Sequence, residues 1–384
     1  MLAAGGRSSE ARCARILLEH PLQKPAFGRS STLRESGEGM TSRPQEPMQP
    51  LRYTVEEVVL ESEDEGVRLA GTFTRPQSGR RTAAVLLIPG SGAQDRDEQL
   101  CGHRPFLVLA NHLTRCGVAV LRLDDRGVGE STGDKDQCTH DDLLRDVRLA
   151  LNFLAAHEDV DATRIGLIGH SEGAVLAAAA ATRYEHLALI VLMGCPTLPG
   201  EQTIHEQSAL ISRHSGATEA QVAHERRMNE EVFAVLKRPI SPDTTRKQVL
   251  SILASHLKSW PDQSVEGDDL ATHINVMADA VLTPAFRSFL NCAPALYFRQ
   301  VRCPVLALFG ELDIQVPPAL HMHVLTEALS AAGNPDVTIE ECRGLNHLFQ
   351  TAKTGAMSEY EEIEETMAPS VLERISNWIR SRTS

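Results

Sequence analysis

The chain has 384 residues, 42% of them apolar, and a net charge of −13, which allows one large domain with an insertion, or two domains. Its acidic surface repels a phosphate backbone and sets nucleic acid aside as a partner, and no apolar run approaches the ~18 residues of a membrane span. Eight cysteines are scattered without a C-x-x-C spacing, against both a structural zinc site and a disulfide framework; such thiols point to a reducing compartment, and the cytoplasm is the expected location.

Residues 1–50 are rich in Ser, Gly, Arg, Pro and Glu, show no period and are expected to be disordered. The run Ile16-Leu17-Leu18 is too short for a secretory signal. Glu10, Glu19, Glu35 and Glu38 argue against a mitochondrial transit peptide despite several arginines. Gly37-Glu38-Gly39 permits the purine-rich codons of a ribosome-binding site, so translation is expected to start at Met40.

From Tyr53 the pattern changes. Tyr53–Leu60 and Val67–Phe73 alternate apolar and polar residues on either side of a turn signal, which predicts an antiparallel hairpin. Continuous apolar runs follow at 83–88, Val118–Leu123, Ile165–Ile168, Leu187–Met193, Val305–Phe309 and Val337–Glu340, as in strands buried on both faces. Helical periods lie between them, at Pro105–Cys116, Asp141–Ala156, Gly173–Arg183, Ala319–Ala331 and Pro369–Arg380. The alternation predicts an α/β fold with a mostly parallel sheet and helices on both faces. Residues 196–300 interrupt it with helical periods alone, such as Val249, Ile252, Leu253 and Leu257. We therefore expect a core built from 51–195 and 301–384, and an inserted helical cap over the ligand-binding C-terminal edge of the sheet.

The chemistry-bearing residues sit at strand ends. Gly169-His170-Ser171-Glu172-Gly173 follows a strand and opens an Ala-rich helix. That is the setting of a nucleophile elbow, where small flanking residues let the helix pack close and the serine sits on a strained turn. The plainer alternative is a strand–helix turn with Ser as helix cap. A serine nucleophile needs a general base, and the order expected after it is an acid and then a histidine. Asp313 follows the strand Val305–Phe309, with Glu311 as the runner-up acid. Of fifteen histidines, only His347 lies between the last strand and the final helix. His321 and His323 are expected to face solvent, and His170 to point away from a base role. The oxyanion donors are expected to be the backbone N–H groups of Glu172 and of Ser91 or Gly92 in the Pro89-Gly90-Ser91-Gly92 loop. The clusters Gln94-Asp95-Arg96-Asp97 and Asp124-Asp125-Arg126 should share one sheet edge, the carboxylates of one pairing with the arginine of the other. Gly127-x-Gly129 lacks the rest of a dinucleotide fingerprint.

Several motifs in order resemble bacterial cap-bearing carboxylesterases of the α/β-hydrolase superfamily. They are Ile88-Pro89-Gly90-Ser91-Gly92-Ala93-Gln94-Asp95-Arg96-Asp97-Glu98, Leu123-Asp124-Asp125-Arg126-Gly127, Gly169-His170-Ser171-Glu172-Gly173, Pro284-Ala285-Phe286-Arg287, and Cys303-Pro304-Val305 running on to Gly310-Glu311-Leu312-Asp313. The likeness spans about residues 52–382. It departs from the pattern at Ala93, where proline is common, and at Phe309, where a small or polar residue is expected at the pocket. The resemblance implies an α/β-hydrolase fold and a serine esterase acting on short- to medium-chain small-molecule esters without metal or organic cofactor. Acyl-CoA thioesterases and serine peptidases share the same three residue types, and a non-catalytic binding protein on this fold is the rival of another class. The acidic total counts against a CoA-binding patch, and no carboxylate anchor for a peptide amine can be picked from the sequence.

Overall fold

In a computed structural model, residues 43–62, 66–260 and 268–383 are described. The expected disorder of 1–42 and the expected start at Met40 lie outside them. Order reaches further upstream than residue 51. The Arg43 guanidinium donates to the carbonyls of Glu361 at 2.8 Å and Ile363 at 3.1 Å, and Gln45 Oε1 accepts from Thr366 N–H at 2.6 Å. These are long-range contacts that composition cannot show.

Eight strands form one sheet: β1 (Tyr53–Ser62), β2 (Val67–Pro76), β3 (Thr82–Ile88), β4 (Ala119–Leu123), β5 (Val160–His170), β6 (Leu189–Met193), β7 (Val305–Gly310) and β8 (Val337–Cys342). Their spatial order is β1-β2-β4-β3-β5-β6-β7-β8. The β1–β2 hairpin and the β2–β4 pair are antiparallel and the rest are parallel.

The apolar runs of the inner strands follow from two-sided burial. Ala84, Leu86 and Ile88 pack into one core and Val85 and Leu87 into the other; Ala307 and Phe309 are likewise separated from Leu306 and Leu308. The first core holds the apolar faces of α2 (His140–Ala156), α3 (Glu172–Ala181) and α10 (Pro318–Ala332). The second holds those of α1 (Pro105–Arg115) and α11 (Pro369–Thr383). α2 starts where Thr139 caps it, accepting from Asp142 N–H while the Asp142 carboxylate accepts from Thr139 N–H at 2.7 Å. Phe309, flagged above as a departure at the pocket, is fully buried in the first core.

Between β6 and β7 the described chain is helical: α4 (Gly200–His214), α5 (Glu219–Leu236), α6 (Pro242–Lys258), α7 (Asp268–Leu282), α8 (Pro284–Leu290) and α9 (Pro294–Phe298). α4 to α8 bury a core of their own around Met228, Phe233, Leu253, Ala278 and Leu290. The insertion is clamped at its base. Gly200 N–H donates to the Cys292 carbonyl at 2.9 Å, and a Cβ at Gly200 would collide with the Phe289 carbonyl. No helix among the described residues is long and apolar enough to cross a membrane.

Candidate active site

The candidate residues gather where β3, β5, β6, β7 and β8 end. β5 runs straight into Ser171, whose backbone takes φ +51° and ψ −121°, a strained setting for a non-glycine residue. The turn is held by Ser171 N–H donating to Met193 O at 2.8 Å and Ala174 N–H donating to Ser171 O at 3.0 Å. A Cβ at Gly169 would strike the Gly173 carbonyl, and one at Gly173 would strike that of Ile88. The two glycines of the pentapeptide are therefore what let α3 start so close to β5 and β3.

Asp313 lies past β7 and His347 past β8, 3% and 4% exposed. Asp313 Oδ1 accepts from the N–H groups of Gln315 and Val316, each at 2.8 Å, and Oδ2 faces His347 Nδ1 at 2.7 Å. Burial alone would raise the Asp313 carboxyl pKa. The His347 charge and hydrogen bond and the two backbone donors outweigh it and hold the pKa below its ordinary value. Gly194, just past β6, backs this pair: a Cβ there would sit 3.1 Å from the His347 ring and 3.4 Å from Asp313 Oδ2, at φ +56°. The sequence reading missed it, although a lone glycine at a strand end is the kind of signal that marks a close approach.

The structure thus joins Asp313 to His347 and sets Ser171 past the end of β5, two strands from β7 at the same edge of the sheet. The Ser171 hydroxyl itself has no hydrogen-bond partner among the described residues; such contacts are commonly long before substrate binds. The N–H groups of Glu172 and Ser91 also lack a protein acceptor among them, as free oxyanion donors must. Gly90 N–H, by contrast, is taken by Glu98 Oε1 at 2.7 Å. Glu311, the runner-up acid, is exposed and accepts from Gly344 N–H at 2.7 Å, bracing the turn that precedes His347.

One expectation is corrected. His321 does not face solvent: it is 1% exposed, and its Nδ1 accepts from Thr197 N–H at 3.0 Å. Burial drives its pKa down to about 4, so it stays neutral. His323 is exposed, as its helix position implied. The two charged loops pair as expected, through Arg96. Arg96 Nη2 meets Asp124 Oδ2 at 2.8 Å and Arg96 Nε meets Asp124 Oδ1 at 3.1 Å, while Arg126 turns to Asp146 on α2 at 2.7 and 2.8 Å. Gln94 N–H also donates to Asp125 Oδ2 at 3.0 Å. The Glu172 side chain, unassigned in the sequence, meets His140 Nε2 at 2.8 Å at the start of α2. Burial disfavours the His140 imidazolium, yet contacts with Cys292 and Glu172 push its pKa up to about 10.

Among the described residues, no group of three or more His, Cys, Asp or Glu side chains is placed to hold a metal ion. What the arrangement can do is acyl transfer: a strained serine, a carboxylate-oriented imidazole and two unpaired backbone donors lie at one sheet edge.

Comparisons with known proteins bear on the fold and the family. A family described as "Serine aminopeptidase, S33" matches residues 104–351. Esterase EstD of Thermotoga maritima is 24% identical over 314 residues, which are 81% of this chain but 65% of that protein, so just under two thirds of the relative's length is spanned. The Pyrococcus furiosus esterase Pf2001 superimposes with a TM-score of 0.52 at 15% identity, covering 91% of this chain and 100% of its own. The hypothetical protein PA2218 from Pseudomonas aeruginosa gives 0.53 at 15% identity, covering 92% and 100%. At such identities the structural likenesses speak for the fold alone. The family match spans well over half of the chain and contains the elbow, Asp313 and His347; this protein belongs to the serine aminopeptidase S33 family of α/β hydrolases.

Proposed function

We propose that the protein is a serine carboxylesterase that hydrolyses short- to medium-chain esters, with Ser171, His347 and Asp313 as its catalytic triad. The observation that carries this reading is the 2.7 Å contact between His347 Nδ1 and Asp313 Oδ2 beside the strained Ser171 turn. In the proposed course, Asp313 keeps the His347 proton on Nδ1, leaving Nε2 to accept the Ser171 proton as Oγ attacks the ester carbonyl. The N–H groups of Glu172 and Ser91 take the oxyanion. His347 then protonates the leaving alcohol, and water enters the same cycle to release the acid. The helical insertion is the cap of this reading, shaping the acyl pocket and excluding bulk water. Free thiols at the seven described cysteines support a cytoplasmic location.

Aminopeptidase activity is the second reading, favoured by the family's own description. It needs an anion for the substrate amine, and the acidic side chain next to the nucleophile, Glu172, is already engaged by His140. One panel tests both readings: p-nitrophenyl esters of increasing acyl length beside aminoacyl p-nitroanilides, with Ser171→Ala as control. Ester turnover that vanishes in Ser171→Ala is the expected result. Turnover of the anilides alone would reverse the preference, and activity retained in Ser171→Ala would end the triad assignment.

A further inference from the structure

Beside the Asp313–His347 pair lies a second buried carboxylate–imidazole pair that acyl transfer does not use. Glu98 and His170 are 4% and 6% exposed. Glu98 Oε1 accepts from Gly90 N–H at 2.7 Å and faces His170 Nδ1 at 2.9 Å. On its far side His170 Nε2 faces the carbonyl oxygen of His347 at 3.0 Å, and the two imidazole rings lie 4.7 Å apart between centroids. One continuous path therefore runs from the loop of Ser91, through Glu98 and His170, to the backbone of the proposed base.

We propose that Glu98 and His170 are positioning residues that tether the oxyanion loop to the loop of His347, so that donor and base keep a fixed separation. The proposal rests on the triad reading above. Both ring nitrogens of His170 face oxygen acceptors, so both contacts are hydrogen bonds only if the pair holds one proton more than a neutral imidazole and a carboxylate. Burial alone would strip that proton from His170. The Glu98 charge and hydrogen bond, then the His347 carbonyl and the Asp313 charge, overcome burial and raise its pKa. With both nitrogens occupied, His170 has no free position with which to take a proton from Ser171. Its work is to hold.

Two further observations support a tether. Gly90 N–H, the first donor of the loop after Pro89, is consumed by Glu98, which leaves the next ones, Ser91 N–H and Gly92 N–H, unpaired among the described residues. Four non-glycine residues of the described chain take a positive φ: Glu98 at +52°, Cys101 at +49°, Ser171 at +51° and Phe349 at +61°. Three of the four are a member of this path or lie within two residues of one. Backbone strain gathered along one hydrogen-bonded path marks a part of the fold held in place for function.

The test uses the full chain with p-nitrophenyl acetate as substrate and an alkyl trifluoromethyl ketone as inhibitor. The ketone carbon adds Ser171 Oγ, the serine proton passes to His347, and the resulting oxyanion reads the donors directly. In Glu98→Gln the amide oxygen still accepts from Gly90 N–H and from His170 Nδ1–H, but a neutral His170 no longer donates to His347 O. The loop stays anchored, and kcat should fall only ~10-fold with inhibitor affinity nearly kept. In Glu98→Ala the loop is released, and kcat should fall ~10²–10³-fold, the scale of a lost oxyanion donor. KM should stay within about three-fold, and inhibitor affinity should drop in parallel with kcat. A merely structural role would lower melting temperature without this split and without rescue by glutamine. Should Glu98→Ala fail to fold, His170→Gln decides, with a kcat loss of at least ~10-fold expected, KM unchanged and most inhibitor affinity retained. Folded Glu98→Ala or His170→Gln with wild-type kcat, or Glu98→Gln as impaired as Glu98→Ala, overturns the tether while Ser171→Ala remains dead. If Ser171→Ala is active, the triad reading falls and the tether falls with it.

Discussion

Replacing Asp313 by Asn should be more damaging than the change of one atom suggests, because the structure fixes which way the amide must point. Oδ1 of Asp313 accepts from two backbone N–H groups, those of Gln315 and Val316, at 2.8 Å each. In Asp313→Asn only the amide oxygen can occupy that place, so its NH₂ must take the position of Oδ2, which now lies 2.7 Å from His347 Nδ1. A donor there forces Nδ1 to become the acceptor and puts the imidazole proton on Nε2, the nitrogen that has to receive the serine proton. The expected loss is ~10⁴ in kcat, the cost of this tautomer error in serine proteases. That corresponds to about 5 kcal/mol of transition-state stabilisation. Asp313→Ala leaves the tautomer free. It should therefore retain more activity than Asp313→Asn while being the less stable of the two, with two orphaned buried N–H groups at ~1–3 kcal/mol each. Steady-state ester turnover, fluorophosphonate labelling rates and urea denaturation of the three proteins provide the comparison. An Asp313→Asn enzyme within ten-fold of wild type, or one more active than Asp313→Ala, would refute the reasoning.

Gly194→Ala places a methyl group 3.1 Å from the His347 ring at a left-handed backbone position. It should cost ~1–2 kcal/mol of stability and lower kcat about 10–100-fold by shifting the imidazole; melting curves and kcat read the two effects separately, and a kcat within three-fold of wild type would show that the ring yields freely. Arg96→Ala removes the counter-charge of Asp124, which is buried, so it should destabilise by ~3 kcal/mol and slow turnover through the loop that carries Ser91. Arg126→Ala, whose partner is Asp146, should destabilise without touching kcat; urea unfolding of both variants checks this, and the reverse pattern would contradict the pairing. His140 gains protons on folding, its pKa moving up to about 10. Its contribution to stability is therefore complete below the unfolded value of ~6.5 and fades as pH rises toward about 10. The stability gap between wild type and His140→Gln should narrow over that window in denaturant titrations, and a gap that widens would remove the imidazolium from the account.

The sheet was legible because two-sided burial writes itself as unbroken apolar runs, and Ile165–Ile168 or Val305–Phe309 admit little else. The same signal undercounts strands with a polar start. β5 begins at Val160, and its stretch Asp161–Arg164 carries no apolar run to announce it. The placement of Ser171, Asp313 and His347 just past strand ends at one edge of the sheet was legible from position, since each follows a predicted strand in chain order. The partners that steady them were not. Glu98 and His170 are 72 residues apart, and His170 and His347 O are separated by 177. Contacts of that span depend on how loops return over the sheet edge, which no periodicity records. His321 was misread for a related reason: its helix shows a solvent face by pattern, but Thr197, in the loop between β6 and α4, packs against it.

The clamp at Gly200 and Cys292 makes the segment above the sheet a closed ring in chain terms: it departs and returns through one doorway. The entropy of closing such a ring grows only logarithmically, by about 0.6 kcal/mol for each doubling of its length. β6 and β7 need not slide in register when residues are added beyond the doorway or taken away. The helical insertion can therefore be resized or exchanged whole, by a lineage or by an engineer, while the strand ends that carry Ser171, Asp313 and His347 stay where they are.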